Sequence, residues 1–431
     1  MVSYKLIFLF LFVTFVAACS NSSQSNWTIL VYLDGDNDLA QANLEDMIEM
    51  QSGATGEHVR ILVQFDQPNG IPAKRYEIKQ GVTTELKNIG EVNMAEAQTL
   101  TDFLIWAKTE NIAHSDHLML ILSDHGNGWD QGAGPSPSKP MISRSLFVDE
   151  DNGTSITPAL HNHLVRSAIE EANLTINVLG LDASIMGTIE AIYEFSDLAD
   201  IIISSQEVGH AKGWNYQNIL NALSSNNNMS PTSLAKTIVQ SYQKFFEETV
   251  YSSGESVSDQ RFSIAAHHGN KIKPLVDHIE SLTQKFMLNL TDVSTKTQTI
   301  RLIEDAINNS QQIDLYTQFN VYLDLEDLVS NLEEHTTITA LFEEATIAEY
   351  HGKDRPKASG LSIVFFQAPN AWDFNTCDAN YKNWDETTKT GNKGKFINET
   401  HWDEFLASYY KIIIPKLDNY DISHPCNALF Q

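Results

Sequence analysis

The stretch His117-Leu-Met-Leu-Ile-Leu-Ser123 decides the fold, because it is apolar at nearly every position and leads directly into the polar sequence Asp124-His125-Gly126. A strand without apolar/polar alternation is typical of a sheet that helices cover on both faces. Four similar runs occur elsewhere in the first half of the chain, at residues 28–33, 59–65, 176–182 and 200–205. Helical stretches separate most of them. The pattern predicts an α/β fold with a mostly parallel sheet and right-handed crossovers.

The other segments of the first half predict one hairpin and several helices. Alternating residues at 74–79 and 84–89 indicate the hairpin. The amphipathic stretches predict helices that start at residue 38, span 95–108 and about 158–172, and start near residue 186.

The second half of the chain is mainly helical between about residues 220 and 349, except for a strand-like run at 262–266. A late apolar run at 361–366 could extend the first sheet or begin a small second one. We therefore predict an α/β core over residues 27–220 and a helical C-terminal region over 221–431 that contributes late strands.

Charge and composition exclude several classes of protein. The chain has 56 acidic and 28 basic residues, so its formal net charge is 28 − 56 = −28. This excess argues against a nucleic-acid-binding protein, which needs clustered Lys and Arg to neutralise phosphates. Three Cys in 431 residues exclude a disulfide-stapled miniprotein and a Cys-rich zinc module. The hydrophobic fraction of 42% is ordinary for a globular protein.

The N-terminus predicts export from the cytosol. An apolar run at residues 6–16 follows Lys5 and is too short for a good membrane span, so residues 1–18 are predicted to be a signal peptide. The sequence Val16-Ala-Ala-Cys19 resembles the lipobox of bacterial lipoproteins. In that case a lipid on Cys19 anchors the protein to a membrane, and residues 19–26 form a flexible leash.

Ordinary secretion, with Cys19 left in the discarded leader, is the alternative. Both cases place the protein outside the cytosol, at the cell envelope or secreted. Cys377 and Cys426 could form a disulfide there, although their spacing does not show whether they approach each other.

Polar side chains collect where the predicted strands end, and ligand sites of such sheets lie beyond the carboxyl ends of the strands. His125 stands at a strand end beside Gly126, which leaves its ring accessible and suits a general base next to an oxyanion site. A solvated strand-end His is the alternative. Ser184 follows the next buried strand at a sharp turn into a helix, where its hydroxyl could be a nucleophile or a helix N-cap.

Several segments resemble motifs of the clostripain-like peptidases, over nearly the whole chain after the leash. They are Ser123-Asp-His-Gly-Asn-Gly-Trp129, Asp182-Ala-Ser-Ile-Met-Gly187, Ser205-Gln-Glu207 with Gly213-Trp214, Val321-Tyr-Leu-Asp-Leu325, Ser359-Gly-Leu-Ser-Ile363 and His401-Trp-Asp-Glu-Phe-Leu406. The resemblance implies a caspase-like fold, a peptidase site that uses a Cys–His dyad, and cleavage of peptide or protein substrates after Arg or Lys. It makes His125, Gly126 and position 184 the catalytic candidates.

The chain departs from this family pattern at the nucleophile, since Ser184 stands where the family has Cys. A hydroxyl is far less acidic than a thiol, whose pKa is about 8.5, so the reaction needs a base that is itself held by a third group. The sequence does not reveal such a group. Lost or weak peptidase activity is the main hypothesis. A working peptidase is the second, either because an original Cys was replaced or because the Ser attacks with help from His125. The leader at residues 1–18 favours a natural Ser, because a protein altered in the laboratory is usually produced without its leader. A non-catalytic scaffold is the third.

The resemblance also implies substrate-binding acids. Asp182 matches a family acid that lines the pocket for a basic P1 side chain, and a carboxylate that caps the next helix is the alternative. Glu207 is a second candidate. Lys212 and His210 stand where relatives often have acidic residues, which argues against a preference for Arg or Lys.

Metal and cofactor signals are weak, and no cofactor is expected. Asp34-Gly-Asp-Asn-Asp38 has the opening spacing of a calcium-binding EF-hand loop, but Leu39 stands where that loop needs Gly and a strand precedes it. We interpret residues 36–38 as a strand-to-helix turn with an N-cap, with calcium as the minor alternative.

Overall fold

The computed structural model describes residues 26–110, 112, 115–126, 128, 146–149, 159–210, 212–250, 261–313, 322–333, 336–365, 381, 384–385, 390–391 and 394–413. The predicted signal peptide and leash, the three Cys and the motif residues Asn127, Trp129 and Val321 lie outside these ranges.

Nine strands form the main sheet, in the order β13-β10-β9-β8-β5-β1-β2-β3-β4. The five strands from β9 to β2 run parallel, and two antiparallel strands extend each edge. The strands of this sheet are β1 (Trp27–Asp34), β2 (Val59–Gln67), β3 (Ile71–Lys79), β4 (Val82–Gly90), β5 (His117–Ser123), β8 (Ile176–Asp182), β9 (Ala199–Ser204), β10 (Ser263–His268) and β13 (Thr346–His351).

Smaller pairings complete the β structure. One sheet has the order β11-β12-β14, and two isolated pairs join β6 to β7 and β15 to β16. Their bounds are β6 (Leu146–Val148), β7 (Ala159–Leu160), β11 (Gln312–Ile313), β12 (Tyr322–Asp324), β14 (Ser362–Val364), β15 (Trp384–Asp385) and β16 (Thr390–Gly391). The late run therefore begins a second sheet.

Helices cover both faces of the main sheet. They are α1 (Ala40–Gly53), α2 (Ala97–Thr109), α3 (Asn162–Ala172), α4 (Ile189–Phe195), α5 (Tyr216–Ser225), α6 (Pro231–Phe245), α7 (Ile272–Thr291), α8 (Lys296–Asn309), α9 (Leu325–Leu332), α10 (Thr336–Ala345), α11 (Lys395–Glu399) and α12 (Trp402–Ile413). A π-helix at Phe246–Val250 continues α6, and a 3₁₀ turn at Gly269–Lys271 precedes α7.

The continuous apolar runs have a simple packing reason. All eight residues of β1 are buried. Leu30 and Tyr32 pack in the cluster that includes residues of α2, α3, α4 and α7, whereas Val31 and Leu33 pack on the opposite face with residues of α1, α5 and α6. Burying one such side chain contributes about 1.5–3 kcal/mol, so apolar residues are favoured on both faces of the strand. The predicted α/β fold with a mostly parallel central sheet is confirmed.

The predicted elements need three corrections at their ends. The helix expected from about residue 158 begins at Asn162, because the two-residue strand β7 precedes it. The helix expected near Met186 begins at Ile189, where the Thr188 hydroxyl accepts from the Ala191 N–H at 3.2 Å. The N-cap residue of α1 is Leu39, and its side chain makes no capping hydrogen bond. The strand-to-helix turn at residues 36–38 is present, but the prediction that it contains the N-cap is wrong.

The C-terminal half takes part in the main sheet and in the turns around it. Strands β10 and β13, both from beyond residue 220, extend the sheet past β9. The second sheet attaches through a bridge between Thr188 and Ser362, in which the Ser362 N–H donates to the Gly187 carbonyl at 2.8 Å. The domain boundary at residue 220 stays a prediction. In the described part of the chain, none of the helices has the length and apolar character that crossing a bilayer requires.

Candidate active site

His125 and Ser184 follow neighbouring parallel strands and lie at the same edge of the sheet. Ser123 at the end of β5 pairs with Asp182 at the end of β8, and each candidate stands two residues further on. The turns touch at Gly126, where an added Cβ would lie 2.4 Å from the Ser184 carbonyl oxygen and 2.9 Å from the Ala183 Cβ. Only glycine fits at this contact, so the residue after the imidazole packs directly against the nucleophile turn.

The turn at Ser184 is a strained elbow. Ile185 has a φ of 62°, a left-handed conformation that a β-branched residue rarely adopts. Its N–H donates to the Glu207 carbonyl at 2.9 Å, and the Gly187 N–H donates to the Ser205 carbonyl at 2.7 Å. These two bonds fix the elbow to the segment after β9 and hold Ser184 half-buried at the sheet edge. Ser184 does not cap α4, since Thr188 does so.

The two catalytic candidates bond to other groups and not to each other. The Ser184 Oγ accepts from the Gly209 N–H at 3.0 Å. The His125 Nε2 contacts the Asp38 Oδ1 at 2.6 Å. Catalytic hydrogen bonds are often long or unformed in a peptidase without substrate, so this arrangement is compatible with a nucleophile and a base that align on binding.

Asp38 is a site residue that the sequence reasoning missed. It comes from the turn between β1 and α1, and β1 is the neighbour of β5 in the sheet, with Leu33 opposite Ser123. The preceding residue fixes this turn, because the Asn37 Nδ2 donates to the Asp124 Oδ1 at 2.8 Å. The calcium-like spacing drew attention to the segment, but the strand order was needed to place it beside His125.

Asp182 faces the segment between β9 and α5. Its Oδ2 accepts from the Tyr216 hydroxyl at 2.8 Å and from the Trp214 N–H at 3.3 Å. It does not cap α4, so that alternative is wrong. Burial raises the pKa of Asp182 to about 6, against these two hydrogen bonds, and the Glu49 carboxylate adds to the rise. The two hydrogen bonds thus offset part of the effect of burial on this carboxyl.

Two acids on α1 lie near Asp182 and also escaped the sequence reasoning. Burial raises the pKa of Asp46, and the carboxylates of Asp182 and Glu49 raise it further. Burial also raises the pKa of Glu49, against which its hydrogen bond from the Gln217 N–H and the charge of Lys212 both act. The positive charge of Lys212 thus acts on Glu49. The sequence signal that could have identified them is their spacing, because Asp46 and Glu49 are three residues apart on α1 and therefore share one face of the helix.

Glu207 is held differently from Asp182. Glu207 is 1% exposed, and its Oε1 forms an ion pair with the Nε of Arg355, which is also buried. A cation of the protein itself already matches this carboxylate. The predicted substrate-binding role of Glu207 stays a prediction, while its backbone carbonyl supports the elbow at Ile185.

The calcium-like turn is organised by its own hydrogen bonds. The Asp34 Oδ1 accepts from the Asp36 N–H at 3.1 Å, and the Asn37 Oδ1 accepts from the Leu39 N–H at 2.8 Å. Within the ranges that the structure covers, no group of three or more His, Cys, Asp or Glu side chains has an arrangement that could hold a metal ion.

The mostly parallel sheet presents an imidazole and a hydroxyl on adjacent turns, which is the arrangement expected for the caspase-like fold. A profile of the clostripain family, peptidase family C11, matches residues 31–409. The chain therefore belongs to the clostripain family.

Individual relatives are distant. Clostripain of Hathewaya histolytica is 22% identical over 227 residues, which span 46% of this chain and 42% of that protein. The solved structure of a secreted C11 cysteine protease from Bacteroides thetaiotaomicron, bound to an irreversible peptide inhibitor, has 18% identity and a TM-score of 0.65, covering 88% of this chain and 100% of that one. An inactive zymogen C11 protease from Parabacteroides distasonis has 19% identity and a TM-score of 0.58, covering 79% and 92%. These solved structures support the fold.

The contact at Gly126 generates a stability prediction. We expect Gly126→Ala to lower the free energy of unfolding by about 1–3 kcal/mol, because the new methyl group must displace the backbone of Ser184. Gly209→Ala is the matched control, since its Cβ would lie 3.6 Å from the Ser184 Oγ, an ordinary contact. Urea unfolding of both variants measures the difference. Equal stabilities would show that the two turns do not pack as described.

Asp66, at the end of β2, generates a pH prediction. Burial raises its pKa to about 8, although the Gln67 N–H donates to it at 2.8 Å, and the Glu91 and Asp149 carboxylates add to the rise. A folded pKa above the unfolded value means that stability is present at low pH and lost as the pH rises from about 4 through about 8.

We therefore expect Asp66→Asn to gain stability relative to the parent as the pH rises from 5 to 8, by at most about 1.4 kcal/mol per pH unit. Urea unfolding at several pH values measures this, with the exposed Asp277→Asn as control. A constant difference between Asp66→Asn and the parent would contradict the raised pKa.

Proposed function

We propose that this clostripain-family chain binds peptides at the cell envelope and cleaves them slowly or not at all. The carrying observation is the position of Ser184: its hydroxyl sits at the elbow after β8, bonded to the Gly209 N–H and not to His125. The site thus keeps the surroundings of a nucleophile, with the imidazole on the adjacent turn, while the nucleophile itself is the less reactive hydroxyl.

The weakness follows from the proton that the hydroxyl must lose. Attack forms a bond from the Ser184 Oγ to the scissile carbonyl carbon, moves the carbonyl electron pair onto oxygen and transfers the hydroxyl proton to His125. His125 then gives that proton to the leaving amine as the C–N bond breaks. A thiol with a pKa of about 8.5 can enter the reaction as thiolate, whereas a hydroxyl needs its base aligned at the moment of attack.

Asp182 supports a peptide with a basic P1 side chain as the ligand. Asp182 is half-buried and has Asp46 and Glu49 as acidic neighbours, so a basic side chain placed beside them would favour their ionised forms and be stabilised by them. The positive charge of Lys212 beside Glu49 weakens that preference. We propose a moderate preference for Arg or Lys over a neutral residue.

An active endopeptidase is the second candidate, and the contact of His125 with Asp38 favours it, because a carboxylate that holds the imidazole is what a serine nucleophile needs. A scaffold that has kept only the fold is the third candidate, and peptide binding by the serine form would exclude it.

We expect Ser184→Cys to hydrolyse peptides with Arg or Lys at P1 at least about 100-fold faster than the parent, because the thiolate removes the need for simultaneous proton transfer. Fluorogenic peptides that differ only at P1 measure the rates. The combination with His125→Ala should remove the gain, and Asp277→Ala, at an exposed position on α7, is the control in the Ser184→Cys form.

Two outcomes would contradict the proposal. If the parent already cleaves at a rate that Ser184→Cys does not raise and Ser184→Ala abolishes, the serine is a competent nucleophile. If Ser184→Cys neither cleaves nor binds peptides, the site is no longer a peptide groove.

The envelope location is proposed from the leader sequence, with Cys19 as the lipid attachment point. We expect the protein purified from its natural membranes to start at residue 19 and to carry the mass of a diacylglyceryl group, which intact-mass and peptide mass spectrometry would measure. Cys19→Ser should release the protein from the membrane fraction. An unmodified mature N-terminus at a later residue would indicate secretion instead.

A further inference from the structure

We propose that Asp38 is a positioning residue that acts through His125, by fixing which ring nitrogen carries the proton and by stabilising the imidazolium. The inference deepens the proposed function and rests on it for the reaction, but it starts from one contact in the structure: the Asp38 Oδ1 lies 2.6 Å from the His125 Nε2.

The chemistry of this contact assigns the two ring nitrogens. A carboxylate only accepts hydrogen bonds, so the Nε2 must be the protonated nitrogen that donates to Asp38. In the neutral ring this leaves Nδ1 as the basic nitrogen. A proton taken from a nucleophile at position 184 therefore arrives at Nδ1, and the ring becomes a cation whose other N–H faces a carboxylate.

The backbone on both sides of the contact is fixed, although the carboxylate itself is exposed. The Asp38 side chain is 77% exposed and the His125 side chain 26% exposed. On the Asp38 side, Asn37 bonds to Asp124 through its Nδ2 and to the Leu39 N–H through its Oδ1. On the His125 side, Gly126 packs against the Ser184 carbonyl. The three turns after β1, β5 and β8 thus lie side by side, in the order carboxylate, imidazole and hydroxyl.

Exposure sets the size of the effect. Exposed ion pairs contribute little, so removing Asp38 should change a rate by about 2- to 5-fold, far less than removing a buried carboxylate would. A small effect needs a test that isolates the part of the Asp38 effect that depends on His125. A double-mutant cycle of these two residues measures this part.

The test uses the mature protein carrying Ser184→Cys, and iodoacetamide as a neutral probe of the thiol at position 184. Mass spectrometry of the peptide that contains position 184 follows alkylation there and separates it from the other Cys. We expect Asp38→Ala to slow this alkylation about 2- to 5-fold near pH 6.5, and Asp38→Glu to recover part of the rate. In the His125→Ala background, the same Asp38→Ala change should have no effect.

Asp277→Ala is the control for charge, because Asp277 is exposed and pairs with Lys273 on its own helix α7. It should leave alkylation unchanged in both backgrounds. Should His125→Ala not fold, as judged by circular dichroism, His125→Gln takes its place. Equal slowing by Asp38→Ala with and without His125 would overturn the proposal, as would no slowing in either.

Peptide hydrolysis provides a second readout. In the Ser184→Cys form, Asp38→Ala should lower kcat by the same factor and leave KM within twofold. A raised KM at constant kcat would mean that Asp38 touches the substrate, which overturns the positioning role. If Ser184→Cys neither hydrolyses nor binds peptides, the proposed function fails, whereas the alkylation cycle still decides the role of Asp38.

Discussion

The site depends on the pairing of β5 with β8 and on the close approach that this pairing forces on the turns beyond. Parallel strands about 4.8 Å apart deliver their following residues to one place, and the absence of a side chain at Gly126 lets the two backbones meet there. Because both strands are buried on both faces, neither turn can shift without moving the core. The imidazole and the hydroxyl are therefore placed by the sheet, and the surrounding loops adjust only their hydrogen bonds.

Electrostatics at this edge follow from the acid excess of the chain. Buried carboxyls stand at the ends of β1, β2 and β8, and burial is the main cause of their raised pKa. Glu207, which follows β9, is matched by Arg355. A cation that approaches these groups would favour their ionised forms. The positive charge of Lys212 acts in this way on Glu49 and lowers its pKa.

The fold could be predicted well from the sequence, because a strand that is buried on both faces has a continuous run of apolar residues. The apolar runs at β1, β5 and β8 and the hairpin β3–β4 were all identified, with errors of a few residues where a cap or a short strand changed a helix start. The sheet to which the late run at residues 361–366 belongs could not be predicted, because the composition of its three paired residues suits a strand in either sheet. The edge that holds His125 and Ser184 followed from strand ends. Asp38, Asp46 and Glu49 did not, since their role depends on strand order and on the direction of α1, which periodicity does not contain.

The bridge from Ser362 to Thr188 has a consequence for biosynthesis. The elbow that carries Ser184 is completed by a strand encoded more than 170 residues later, through the bond from the Ser362 N–H to the Gly187 carbonyl. A nascent chain that has emerged only as far as α10 can pair β5 with β8, yet it lacks this last support of the elbow. The turn that carries Ser184 is thus among the final parts of the molecule to mature, well after the scaffold on which it stands.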